Sequence, residues 1–244
     1  SKMGYKNYEI KIILSVDSEN VLDDVSIENV SIIEGMYPSL HKNISILKWD
    51  DEIISEDDEL FLFLSDNLSL ETNLLNKFVY VYNRTSKSFG GIFPMILNKD
   101  NTIFSYGIEL YGINNEDKKL KIECNLKGTN SFYNYNSGHH QERIGNIGPC
   151  FMTTKDNLEK HDWFRLDFEN SFHEAYFSVK CSLDKKIIYV DNDSLVKLDY
   201  NFLENDKVKN DINKDLNQLI KSLNEDKKTQ EFIKIVKPQL QPQT

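Results

Sequence analysis

Cysteine is scarce: Cys124, Cys150 and Cys181 form an odd set in 244 residues, with no CxxC spacing. That argues against a disulfide framework or a cysteine zinc site and points to a reducing compartment. Long apolar runs are lacking too. LFLFL (60–64) is among the longest, far short of the ~20 residues that cross a bilayer. The opening SKMGYKNYEIKIIL is too polar for a signal peptide, so the expectation is a cytosolic chain. Positive charge is in the minority, 29 Lys and Arg against 39 Asp and Glu for a net charge of -10. A general binder of long nucleic acid would instead show a basic stripe, whereas a small anion held by a few local cations remains compatible. Neither a G-x-G-x-x-G nor a Walker sequence occurs. Alanine is almost absent while Asn, Lys, Ile and Asp abound, a bias of AT-rich coding that says nothing of function.

What is present is a foldable chain. Hydrophobic residues make up 39%, with 14 Phe and 12 Tyr, enough for one large domain or two small ones. Short or alternating apolar runs dominate the first 200 residues: YEIKIILSV (8–16), VSIENVSII (25–33), ISILKW (44–49), ELFLFLS (59–65), KFVYVYN (77–83) and GGIFPMIL (90–97). TIFSYGIELYGI (102–113), KLKIECNL (119–126), WFRLDF (163–168), AYFSVKCSL (175–183) and KIIYV (186–190) follow. This spacing, punctuated by polar turns, predicts strands in a barrel or sandwich. Residues 1–200 are expected to form the β domain, with a possible subdomain boundary near 115–130. From 205 to 237 the period changes. Val208, Ile212, Leu216, Leu219, Ile220 and Leu223 make a helical stripe, so 201–244 reads as a helical tail.

Motifs narrow the chemistry. His140-Gln141-Glu142 with Pro149-Cys150 echoes a zinc deaminase signature but lacks its second cysteine and its spacing. Adjacent His139 and His140 have no third ligand nearby, so no metal is expected. Trp49 and Trp163 read as core. His41, Glu71 and Cys150 stand in the His, acid, nucleophile order of chymotrypsin-like cysteine proteases. Yet IGPCFMT puts Pro149 and Phe151 where that class has a glycine-flanked turn.

Three further stretches carry a resemblance: VYVYNRTSKSFGGIFPMILNKDN (79–101), SLHKNISI (39–46) and IGNIGPCFMTTKDNLEK (144–160). Read together, they resemble the poxin family, viral and insect nucleases that destroy the immune messenger 2′3′-cGAMP. DSLVKLDY (193–200) looks like that family's final core strand. In the resemblance His41 matches the catalytic histidine, Gly145 and Ile147 match a glycine and a valine, and Lys155 matches the catalytic lysine. Phe151 stands where the family has its tyrosine, and Lys42-Asn43-Ile44 departs from its Phe-Pro-Gly.

The resemblance implies a mainly β fold with a chymotrypsin-protease-like barrel or sandwich core, short helices and a C-terminal amphipathic helix. It implies metal-independent, cofactor-free cleavage of the 3′–5′ phosphodiester of 2′3′-cGAMP in the host cytoplasm by a homodimer, suppressing cGAS-STING signalling. A ribose 2′-OH would attack the phosphate, His41 would protonate the leaving oxygen, and Lys155 would stabilise the phosphorane. With Phe151 unable to bridge, Thr153, Thr154, Tyr133 or Tyr135 would supply a hydroxyl. Lys87, Arg84, Arg143 and Lys180 are the expected phosphate-binding cations. The alternatives are an impaired poxin-like binder of a cyclic dinucleotide or protein, and a cysteine protease using His41 and Cys150.

Overall fold

The computed structural model describes residues 10–14, 30–34, 43–44, 59–65, 68–70, 73–112, 120–124, 127–129, 140–169, 171–198 and 206–235. The chain is β-rich, with a nearly closed mixed sheet and a few helices. Strands β1 (Ile10–Leu14) and β2 (Val30–Glu34) pair in parallel by themselves. The main sheet is formed by β3 (Leu60–Leu64), β4 (Leu68–Leu70), β5 (Phe89–Leu97), β6 (Ile103–Ser105), β9 (Gln141–Arg143), β10 (Cys150–Thr154) and β11 (Ile187–Leu198). Its path runs β3-β10-β5-β11-β4, with β6 on β5 and β9 on β11. A separate hairpin joins β7 (Ile108–Gly112) to β8 (Leu120–Cys124). The helices are α1 (Leu74–Thr85), α2 (Lys155–Lys160), α3 (His173–Leu183), α4 (Asp206–Glu225) and α5 (Lys227–Ile235).

Two features separate this sheet from the chymotrypsin-protease-like core expected from sequence. The central pair, β5 with β11, is parallel, and helices cover what hairpins would otherwise occupy. Moreover, β3 and β4 lie at opposite ends of the path although residues 65–67 alone connect them. Four Cα steps reach at most about 15 Å, so the two edges must curl toward each other.

Alternation along the strands buries both faces. Phe93, Met95, Phe151, Ile188 and Val190 enter one core with Phe177 of α3 and with Trp163 and Phe164. Ile92, Cys150, Met152, Tyr189 and Val196 enter the other, under Leu74, Leu75, Phe78 and Val81 of α1. KFVYVYN is therefore helical: Leu74, Phe78, Val81 and Tyr82 also satisfy a 3.6-residue stripe, and packing chose it over the two-residue alternation. AYFSVKCSL likewise belongs to α3. WFRLDF makes no strand; Asp162 and Trp163 both have positive φ there (55° and 61°), which breaks an extended run.

Pro94 sits in the centre of β5 and has no N–H for the ladder. Beside it, β11 shifts register between Asp191 and Leu195. The bulge is closed by its own side chains: Ser194 Oγ donates to Asp191 Oδ2, and Asp193 N donates to Asp191 Oδ1 at 3.2 Å.

The tail expectation holds as helix, in two pieces. Leu219 and Leu223 are buried against Ile108, Leu110, Phe168, Phe172, Ala175 and Val179, with Ile212, Leu216 and Ile220 beside them. The stripe is thus covered by this chain's own β7 and α3. Lys180–Asp226 and Lys228–Asp184 ion pairs join α5 and its approach to α3 and the turn that follows α3.

Candidate functional site

His41, Glu71, Tyr133 and Tyr135 lie outside the described residues. Phe151 is 1% exposed; its ring stacks on Phe93 at 4.6 Å and meets Phe177 edge-on at 5.6 Å. Strand alternation sends it into the core, so it cannot face a substrate. Cys150 is fully buried on the opposite face, and burial pushes its thiol well up from the usual range, leaving no thiolate for the protease reading. Thr153 Oγ1 is committed to the Gly90 carbonyl at 2.7 Å. Thr154 Oγ1 caps α2 by accepting from Asn157 N at 3.2 Å.

Lys155 begins α2, its backbone N–H bound to the Glu59 carbonyl at 3.0 Å. The four expected phosphate cations come from different parts of the chain. Arg84 lies on exposed α1, donating to Tyr80 Oη and covering its ring, while Lys87 occupies the turn that follows. Arg143 packs over the Tyr106 ring at 5.1 Å and donates to the Tyr106 carbonyl at 3.2 Å. Lys180 is paired with Asp226. Arg84, Arg143 and Lys180 thus each serve a local contact.

A different cluster has the character of a functional site. It joins the 145–148 loop before β10, the β6–β7 turn and the first turn of α3. Asn146, fully buried, accepts with Oδ1 from three donors: Ser105 Oγ, Gly107 N at 2.8 Å and Ile147 N at 2.9 Å. Three donors on one oxygen fix the amide's orientation. Its Nδ2, buried as well, has no hydrogen-bond partner among the described residues, a donor that a ligand oxygen or a water would satisfy. Asn146 N donates to Ser178 Oγ at 3.3 Å. One helical turn earlier on the same face of α3, Glu174 Oε1 accepts from Gly148 N at 2.9 Å.

Two glycines permit this approach. A Cβ on Gly145 would meet Ser178 Oγ at 2.7 Å, and one on Gly148 would meet Ile96 Cδ1 at 2.0 Å. The loop can lie on α3 and β5 only without those side chains.

Glu174 is 5% exposed. Burial pushes its carboxyl up from 4.5 to about 7; the N–H groups of Glu174 itself and of Gly148 pull the other way, and the Asp215 charge adds to the rise. Desolvation wins over the donors and the helix N-terminus. A carboxyl that exchanges its proton near neutral pH is the group that acid–base chemistry needs. Asp215, on α4, is buried and accepts from Glu169 N at 2.8 Å and Ser171 N at 2.9 Å, pinning the approach to α3. Phe172, at the helix start, has φ of 64°. Sequence reading passed over Glu174. Its available signals were an acid set among aromatics in SFHEAYF and the paired glycines of IGNIGPC.

No family model matches the chain, and no curated protein matches it. Among solved structures, one titled "Crystal structure of GalNAc-T7 with UDP, GalNAc and Mn2+" superposes with a TM-score of 0.53 at 11% identity over 79% of this chain. The fold is similar to that of a glycosyltransferase. This chain spans 38% of that protein's length. The finding overturns the expected 2′3′-cGAMP nuclease, because the likeness is to a transferase rather than a phosphodiesterase. The burial of Phe151 agrees with that correction.

Proposed function

We propose that this chain is a glycosyltransferase-like domain that moves a sugar from a nucleotide sugar to an acceptor hydroxyl, with Glu174 as proton acceptor. The supporting observation is the Glu174 carboxyl, buried in the first turn of α3 against Gly148 N and pushed up to about 7. In such a transfer the acceptor oxygen bonds to the anomeric carbon as the bond to the nucleotide diphosphate breaks. The acceptor's proton must leave in the same event. Glu174 takes it, and Gly148 N, already within 2.9 Å of Oε1, stabilises the ionised form before the acceptor arrives.

The described residues do not fit the Mn2+ named with the similar structure. No three His, Cys, Asp or Glu side chains among them converge, and both Asp191 oxygens are engaged by Ser194 and the Asp193 N–H. No step here is assigned to a metal.

The test is release of UDP from UDP-GalNAc with and without added Mn2+. Glu174→Gln, close in shape and unable to accept the proton, should lower release by ~10²–10⁴. Wild-type protein that neither binds nor turns over UDP-GalNAc, or a Glu174→Gln variant as active as the parent, would sink the reading.

A further inference from the structure

We propose that Asp215, on the C-terminal helix α4, is a positioning residue for Glu174: it holds the approach to α3 in place and confronts Glu174 with a second buried carboxylate. The inference deepens the reading of Glu174 as proton acceptor and rests on it. Asp215 is 1% exposed and lies on α4, 41 residues beyond Glu174. Its two oxygens each take a different backbone N–H, Glu169 N at 2.8 Å and Ser171 N at 2.9 Å. Those amides flank the turn into Phe172 and His173, whose path sets where Glu174 begins. Leu219, one turn along α4, anchors the helix against Phe168, Phe172 and Ala175, so the carboxylate cannot swing away.

The 145–148 loop presents Glu174 with the neutral N–H of Gly148, α3 places the titratable ring of His173 next to it, and α4 supplies Asp215. Among the described residues the charge of Asp215 is felt at Glu174, where it adds to the larger effect of burial in opposing ionisation. The C-terminal helix is therefore a working part of the site.

The experiment is a carboxyl titration by NMR of protein labelled with 13C at glutamate Cδ, with the Glu174 signal assigned by its loss in Glu174→Gln. Asp215→Asn keeps an acceptor oxygen and removes the charge. The Glu174 midpoint should fall toward the ordinary carboxyl range, by only part of its rise because burial is the larger cause. Asp215→Glu, which keeps the charge, should leave the midpoint near that of the parent. Asp215→Ser, smaller and uncharged, should give the same fall and carries the test if the asparagine variant does not fold. An unmoved midpoint in a folded neutral variant overturns the proposal. The titration needs no substrate, so the two readings fail separately. A shifted midpoint without UDP release removes the transfer reading alone, while Glu174-dependent release with an unmoved midpoint removes this one alone.

Discussion

β10 and the first turn of α3 lie either side of α2, and each carries the residue on which a mechanism could turn. In β10 that residue is Phe151, and the strand's alternation delivers it among Phe63, Phe93 and Phe177. In α3 it is Glu174, delivered to a loop whose Gly148 N–H faces it. Both side chains are buried. An aromatic ring gains from burial in proportion to its area, whereas a carboxyl pays for it by holding its proton to higher pH. The same environment thus silences one position chemically and activates the other.

The comparison breaks most visibly at Phe151. Phe151→Ala should cost about 3–5 kcal/mol of unfolding free energy, read by denaturant titration. Phe151→Tyr should cost about 1–3 kcal/mol, because it buries a hydroxyl among aromatic rings. A tyrosine variant as stable as the parent would mean that the ring edge reaches solvent or a polar partner.

Next in size is the pH dependence attached to Glu174. Its folded carboxyl is raised from 4.5 to about 7, so the folded chain holds the proton more tightly than the unfolded chain. The resulting stabilisation is fully present below the ordinary carboxyl range and is lost as pH rises through about 7. Unfolding free energy should decline by up to about 3 kcal/mol across that window, and Glu174→Gln should flatten this part of the curve. A parent curve that climbs from pH 5 to 7.5, or a slope untouched in the variant, contradicts the assignment.

The smallest expected effects belong to the exposed cations. Arg84→Ala and Lys87→Ala should each change stability by less than about 0.5 kcal/mol and leave UDP release unaltered. A large loss of release in either would bring α1 into the site.

Much of the scaffold was legible in the residues. LFLFL, GGIFPMIL and KIIYV are apolar over short spans and became β3, β5 and β11; the spaced Ile212, Leu216, Leu219 and Leu223 became a helix. KFVYVYN was misleading because its aromatic and β-branched residues fit either period, and the Leu74–Leu75 pair upstream extended the helical one.

The candidate site was far less legible. Residue types alone could rank His41, Lys155 and Phe151 as reactive or matched positions, since reactivity is assigned from what a side chain can do. What it does depends on which partners and how much water it keeps. Glu174 accepts from Gly148, 26 residues away in sequence, and feels the charge of Asp215, 41 residues away. Such contacts form only when β10, α3 and α4 pack, and no spacing rule encodes them. The sequence by itself determined a β-rich, acidic chain with an amphipathic C-terminal helix, because composition and local periodicity are properties of neighbours along the chain. Tertiary structure decided which carboxyl would be buried beside a second one and which ring would vanish into the core, because desolvation and charge proximity exist only after the chain has folded.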